Sequence, residues 1–246
     1  MKQKHAIVAV MLLVSSFFML TTPLWAKENK DKVIAIVLGK EITVADQDKL
    51  DKLIFGALLQ QYAKEKNISP TDIELENFNT KMKAQEAKNL AEFTADKDRL
   101  LQELNSPTLS AAERKEKETQ LHTLETLLRS EPEIGEMTSE MEAQIQAGYR
   151  QIAQQFVQSW KINQALFQQY GGRVIFQQGG PEPLDAYLAF LRDQESKGAF
   201  QILDPQYKAG FWDYFIRDSS HGFFDQDQGT ELMNTPWWMM EKQPNN

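Results

Sequence analysis

The chain has 246 residues, no cysteine, and 27 basic against 35 acidic residues, which gives a formal net charge of −8. The absence of cysteine from the sequence excludes disulfides, thiolate nucleophiles and thiolate metal sites. The acidic balance argues against nucleic-acid binding and against a polybasic face for anionic lipid.

Residues 1–26 have the pattern of a secretory signal peptide. A basic start, MKQKH, precedes an uncharged stretch over 6–26 that ends in Ala26. The alternative is an uncleaved membrane anchor, since 21 uncharged residues are long enough to span a bilayer. We expect a periplasmic protein with no membrane span after cleavage, or an inner-membrane anchored protein that faces the periplasm.

The segment VIAIVLGKEITVAD, residues 33–46, predicts a short β-hairpin followed by a helix. Valine and isoleucine favour a strand over 33–38. Residues 38–41 have the character of a tight turn that returns through Ile42. Thr43 is a suitable N-cap for the helix that follows.

The helix expected over 44–66 has more apolar surface than one packing face needs. One stripe follows helical spacing, and a second stripe adds three more side chains. Either the helix is buried on two sides, or it offers apolar surface to another chain. The two stripes contain Leu50, Leu53, Ile54, Ala57 and Leu58, then Phe55, Leu59 and Tyr62.

The next segments predict further helices. Ser69 and Pro70 have the residue types of an N-cap and first helical position. Residues 83–130 are expected to form a helical hairpin, with a break near residue 107 and a capping box at Ser110 and Glu113. A long helix is predicted over 139–170, from Ser139 to a glycine pair. Its aromatic side chains fit either a core seam or a binding cleft.

The C-terminal part is predicted to be helical as well. The stretch RVIFQQGGPEP fits a short strand and turn, or a loop. Helices are expected after Pro183 and after the pair Asp204-Pro205. We divide the chain into a signal peptide (1–26), a helical domain with a hairpin insertion (27–170), a C-terminal helical segment packed on it (171–230) and a mobile tail (231–246). The tail contains PWWMM, which either docks into a groove as an internal plug or remains loose; exposed tryptophans are unfavourable in water, which favours docking.

A resemblance to a known family covers about residues 33–82. It rests on three segments in this order: VIAIVLGKEITVAD, LLQQYAKEKNIS and PTDIELENFNTKM. They resemble the N-terminal domain of SurA-type periplasmic chaperones. The chain departs from that pattern at Leu38, where the family usually has Asn, and at Gln47, where an apolar residue is usual. The resemblance implies a mainly α chaperone module with a short N-terminal β-hairpin, onto which a long helix, here 139–170, returns.

Many relatives in that family also carry a parvulin-type prolyl isomerase domain. Such a domain resembles a strand with a His-Ile pair, a Gly-Gly-Asp-Leu-Gly stretch and a closing strand with a second histidine. Here Gly171 and Gly172 are followed by Arg173 and Val174, and His221 is the only downstream histidine. We therefore expect no enzyme, and a degenerate peptidyl-prolyl isomerase is the one enzyme alternative.

The remaining polar clusters do not predict a catalytic or metal site. His122 lies one helical turn from both Glu118 and Glu125, a spacing that can hold a metal, but a highly charged helix favours a solvated face. His221 follows two serines, yet adjacency in sequence does not make a catalytic triad. We predict no catalytic residue, no metal and no cofactor.

The expected function is that of an exported chaperone-like protein that binds unfolded or extended polypeptides in the cell envelope without catalysis. Outer-membrane proteins are among the expected clients. The alternative is a structural or adaptor subunit of an envelope complex with one fixed partner; the sequence has no signal for the oligomeric state. The predicted peptide-binding residues are Leu53, Phe55, Leu59, Tyr62, Phe78, Trp160, Phe167 and Tyr170.

Overall fold

A computed structural model describes residues 30–129 and 138–240. The expected signal peptide over 1–26 lies outside the described residues. The prediction of a mainly α fold is confirmed. The strands are β1 (Val33–Val37), β2 (Lys40–Thr43), β3 (Ile175–Gln177), β4 (Gly180–Glu182) and β5 (Phe200–Ile202). The helices are α1 (Leu50–Glu65), α2 (Asp72–Leu104), α3 (Ala111–Arg129), α4 (Ser139–Tyr170), α5 (Leu184–Ser196), α6 (Pro205–Ile216) and α7 (Gln226–Asn234).

The predicted hairpin forms from β1 and β2, which pair antiparallel. Both turn residues have positive φ, +49° at Leu38 and +77° at Gly39. Two positive φ angles are typical of the type I′ turn, which matches the twist of the strands. A leucine in this region costs about 1–2 kcal/mol. The backbone N–H of Leu38 donates to the Ala199 carbonyl at 2.7 Å, which helps to hold the turn in place.

A strand from the C-terminal part completes this sheet. The strand order is β2-β1-β5, with β5 antiparallel to β1 and Ala35 opposite Ile202. Beside this edge, the Lys32 ammonium lies 2.7 Å from the Asp204 carboxylate. The segment over 171–230 therefore contributes a strand to the N-terminal sheet as well as helices packed on it.

The helix predicted over 44–66 begins differently from the prediction. Residues Val44–Lys49 form a 3-10 turn, and α1 begins only at Leu50. Thr43 occupies the N-cap position of that turn, but its side chain makes no capping hydrogen bond. After α1, Asn67 has a φ of +53°. This left-handed conformation is typical of the residue that follows the end of a helix.

The central helices also begin at residues other than those predicted. Thr71, rather than Ser69, caps α2 through a capping box with Glu74. The 33 residues of α2 run unbroken for about 50 Å, so the hairpin of α2 and α3 begins well before residue 83. Thr138, rather than the residue after it, caps α4. The capping box of Ser110 and Glu113 is present as predicted.

The described residues pack into two clusters of buried apolar side chains. The main core joins the three-stranded sheet to α1, α5, α6 and the C-terminal half of α4. The second, which we call the small cluster, joins α2 to α4 and consists of Leu75, Phe78, Ala153, Val157 and Trp238. The small cluster therefore depends on a residue from the far C-terminal part of the chain.

The prediction of a mobile tail over 231–246 is wrong for 231–240. Residue 231 lies within α7, and a 3-10 turn, Trp237–Met239, follows it. Trp238 is only 4 % exposed because its indole lies in the small cluster. Residues 241–246 lie outside the described part. None of the helices over 30–129 and 138–240 is both long and apolar enough to cross a membrane.

Candidate functional site

A continuous groove runs between α1 and α4 and ends beside the β3–β4 hairpin. Three adjoining cavities form it, with volumes of about 660, 330 and 70 Å³. Adjoining cavities share lining residues, which include Leu59 and Ile162 at one junction and Phe156 and Asn163 at the other. Ser159 lines all three cavities. We call the whole depression the α1–α4 groove.

The floor of the groove is apolar. Phe55 and Leu59 lie one helical turn apart on α1, and both are half-buried against the main core. The Phe55 ring packs edge-on to Tyr187, with centroids 4.8 Å apart. From α4, Phe156 contributes a ring that is 43 % exposed. The apolar floor therefore extends from the main core to the solvent-exposed ring of Phe156.

The β3–β4 hairpin forms one wall, and Arg173 anchors it. The Arg173 guanidinium contacts the carboxylates of Asp185 at 2.9 Å and Asp218 at 2.6 Å. Both ion pairs lower the pKa of their aspartate. The preceding Gly172 has a φ of +99°, and a Cβ there would overlap the side chain of Asp185. The glycine therefore permits the close approach that places Arg173 beside its two partners.

The rim of the groove is polar but uncharged. Glutamines dominate the cavity between α1 and α4, and an uncharged amide can both donate and accept hydrogen bonds. Such groups suit an extended backbone, whose N–H and C=O groups need partners. The rim glutamines are Gln60, Gln151, Gln154, Gln155 and Gln158.

Glu182, the last residue of β4, places a carboxyl group in the groove. Burial raises the pKa of Glu182, while a hydrogen bond from Tyr214 and the nearby His221 oppose that shift. The Tyr214 hydroxyl also accepts from Gln177 at 3.2 Å. Nearby, the Tyr187 hydroxyl donates to Asn163 at 2.7 Å, and burial raises the pKa of Tyr187.

His221 interacts electrostatically with this carboxyl group. Its Nε2 lies 2.7 Å from the backbone carbonyl of Tyr214, so Nε2 must carry the proton that is donated. Its Nδ1 is buried and has no hydrogen-bond partner among the described residues. Ser219 and Ser220 form a 3-10 turn with Asp218, and no described hydrogen bond joins their hydroxyls to the imidazole. The arrangement therefore lacks the contacts of a nucleophilic triad.

The predicted binding residues divide into three groups. Phe55, Leu59 and Trp160 line the α1–α4 groove, Trp160 in its smallest cavity. Two belong to buried clusters, Tyr62 to the main core and Phe78 to the small cluster. The Tyr62 hydroxyl also donates to Gln169 at 2.9 Å.

The remaining three lie away from the groove. Leu53 is 39 % exposed and stands about 200° around α1 from Phe55, because each residue turns the helix by about 100°. Phe167 is half-buried near the end of α4. The Tyr170 ring packs on Phe190, and burial together with Asp193 raises the pKa of Tyr170 to about 12. None of the three is among the residues that line the three cavities.

Sequence reasoning missed most of the groove wall. Phe156 belongs to the apolar stripe of the predicted helix over 139–170, so its spacing was a usable signal. Glu182 is a single acid between prolines, and nothing local distinguishes it from a loop residue. Its place in the groove depends on how the β3–β4 hairpin meets α4 and α5.

The described residues contain no group of three or more His, Asp or Glu side chains that could hold a metal ion. His122, Glu118 and Glu125 lie on α3, a helix with no buried residue, where the solvated interpretation applies. No family model, curated protein or solved structure matches this chain.

Proposed function

We propose that the protein binds unfolded or extended polypeptide in the α1–α4 groove and holds it without catalysis, as a chaperone of the cell envelope. The envelope location rests on the signal-peptide pattern over 1–26. The resemblance of residues 33–82 to SurA-type chaperones is part of the same proposal. Client side chains would lie on the apolar floor, and the client backbone would meet the glutamine rim.

One observation carries this proposal: Phe55 and Leu59 are not sealed inside the protein but line a groove. The adjoining Phe156 ring is 43 % exposed, although a soluble protein usually covers such a ring. The residues of α4 that line the groove's two larger cavities extend from Gln151 to Asn163. Twelve residue steps on a helix are about 18 Å, the length of five to six extended residues.

The experiment is to dilute a denatured outer-membrane protein into buffer with a several-fold excess of the purified protein and to follow light scattering. The proposal expects suppressed aggregation without ATP. It also expects a fluorescently labelled, apolar peptide to bind with a measurable anisotropy change. No suppression together with no peptide binding overturns the proposal.

A matched pair of variants ties the activity to the groove. Ser159 is exposed and lines all three cavities, so Ser159→Trp fills the groove without disturbing the core. We expect peptide affinity to fall about tenfold or more, because the indole occupies the volume that the peptide needs. Ala147→Trp, at an exposed position of α4 outside the groove, adds the same indole as a control.

The adaptor alternative uses the same surface for one fixed partner. Affinity purification from an envelope extract separates the two functions, because an adaptor recovers one protein in stoichiometric amount and a chaperone recovers many in small amounts. A proline-peptide isomerisation assay tests the enzyme alternative. Isomerase activity well above background would favour the enzyme alternative over the proposed binding without catalysis.

A further inference from the structure

The three cavities of the α1–α4 groove have one charged residue among their described lining residues, and it is Glu182. The chain as a whole is 25 % charged, so a groove of this length would ordinarily contain several charges of both signs. The remaining lining side chains are apolar, aromatic, hydroxyl or amide groups. A single carboxyl group in such a surface creates a local negative potential that nothing else in the lining offsets.

The carboxyl group of Glu182 has spare capacity to accept hydrogen bonds. A carboxylate offers about four lone-pair sites. Among the described contacts, Tyr214 donates one hydrogen bond to it, and none of the described salt bridges includes it. A half-buried carboxylate outside any of the described salt bridges is costly, and a cation supplied by a ligand would reduce that cost.

Aromatic rings share the cavity with this carboxyl group. Phe55 and Tyr187 line the same cavity as Glu182, and Phe156 lines it from α4. The face of an aromatic ring attracts a cation, and the attraction is stronger where water is displaced. Rings plus one carboxylate therefore favour a cationic group carried on an apolar stem, such as a lysine or arginine side chain.

We infer that the α1–α4 groove selects polypeptide segments in which a lysine or arginine is flanked by apolar residues, with the basic group seated at Glu182. This inference rests on the proposed function and names its substrate class. The apolar flanks lie on Phe55, Leu59 and Phe156, and the aliphatic stem of the basic residue passes along the rings. The ammonium or guanidinium donates to the free oxygen of Glu182.

The test compares three labelled peptides of one sequence, acetylated and amidated at the ends, with lysine, norleucine or glutamate at the centre. Norleucine keeps the aliphatic stem of lysine and removes the ammonium group. Wild-type protein is expected to bind the lysine peptide about tenfold more tightly than the norleucine peptide, and the glutamate peptide more weakly than both.

The ratio of the two affinities identifies the residue responsible. In Glu182→Gln, the lysine-to-norleucine ratio is expected to fall to about one, because the charge is lost and the shape is kept. Glu118→Gln removes the same charge from an exposed position on α3, and the ratio is expected to stay at about ten. A ratio of one in the wild type, or an unchanged ratio in Glu182→Gln, overturns the inference.

Carbodiimide coupling provides a second readout that needs no variant. The reagent joins a carboxylate to an amine in direct contact by forming an amide. The lysine peptide is expected to couple to the fragment that contains Glu182, and coupling at other carboxylates alone overturns the inference. If the norleucine peptide binds and selectivity is absent, only this inference fails; if no peptide binds, the proposed function fails.

Discussion

The indole of Trp238 packs edge-on to the ring of Phe78, with ring centroids 5.2 Å apart and an interplanar angle of 69°. The two residues are 160 positions apart in the sequence. Trp160 also packs edge-on to the same indole, with ring centroids 5.7 Å apart. The C-terminal segment therefore joins α2 and α4 at the end of the groove, where Trp238 also lines the smallest cavity.

Trp238→Ala is expected to lower the free energy of unfolding by about 3–5 kcal/mol, because a buried indole is replaced by a void. Urea denaturation followed by circular dichroism measures the loss. Met239→Ala, at a neighbouring side chain that is 52 % exposed, is the control and should change stability by about 0.5 kcal/mol or less. Equal stability of the Trp238 variant and the wild type would mean that the segment is not docked.

Gly172→Ala is expected to destabilise the protein by at least about 1–2 kcal/mol, since φ is +99° and a Cβ overlaps Asp185. The same change at Gly210, inside α6, meets nothing within 4 Å and should stabilise by about 0.5–1 kcal/mol. Thermal unfolding of the two variants measures these effects. A drop in melting temperature for both would contradict the argument from backbone geometry.

The ion pairs of Arg173 make part of the stability depend on pH. Because Arg173 lowers the pKa of Asp185 and of Asp218, their contribution is present above the ordinary aspartate pKa of about 3.9 and is lost as pH falls through the lowered values. Arg173→Gln is therefore expected to lower the free energy of unfolding at pH 7, by a loss that solvent screening of these half-exposed pairs keeps small, and to lower it progressively less in acid. Urea titrations at several pH values measure the difference.

Lys88 provides the control for the Arg173 experiment. Its contact with Glu92 is 3.7 Å long and solvent-exposed. Exposed pairs of this kind contribute about 0–1 kcal/mol, so Lys88→Gln should leave the pH profile close to that of the wild type. If the Arg173 variant also keeps the wild-type pH profile, Arg173 does not lower the pKa values of Asp185 and Asp218.

Glu182 is expected to act against stability. Burial raises its pKa in the folded state, so the folded protein favours the protonated form and stability decreases as pH rises through that pKa. Glu182→Gln should therefore be at least as stable as the wild type at pH 7. The difference should disappear below the ordinary glutamate pKa of about 4.3, where the wild-type residue is also neutral. A clearly less stable variant at pH 7 would mean that the carboxylate is compensated.

The preference for a basic peptide should weaken in acid. Protonation of Glu182 removes the charge that attracts the cation. The other titratable groups that face Glu182 are His221 and the phenols of Tyr214 and Tyr187, and burial keeps both phenols neutral. Anisotropy titrations with the lysine and norleucine peptides between pH 4 and pH 8 measure the ratio, and a ratio that does not change with pH would contradict a role for the carboxylate.

Features that depend on neighbouring residues could be predicted from the amino-acid sequence. The turn at Leu38 and Gly39, the capping box at Ser110 and Glu113, and the helix start at Asp204 were all readable, because each is made of contacts within four residues. The apolar stripe with Phe55 and Leu59 was readable for the same reason. The sequence does not distinguish well between neighbouring N-cap candidates: Ser69 was predicted to cap α2, and Thr71 does so.

Whether an apolar stripe is covered or lines a groove depends on contacts between distant segments, which the sequence pattern does not contain. The pairing of β5 with β1, the docking of Trp238 on Phe78, and the position of Glu182 beside Phe55 each join segments more than a hundred residues apart. No local pattern specifies such contacts, since their free energy comes from surface that is buried between distant segments. The sequence predicted an excess of apolar helix surface, and the packing of distant segments decided that part of it faces the α1–α4 groove.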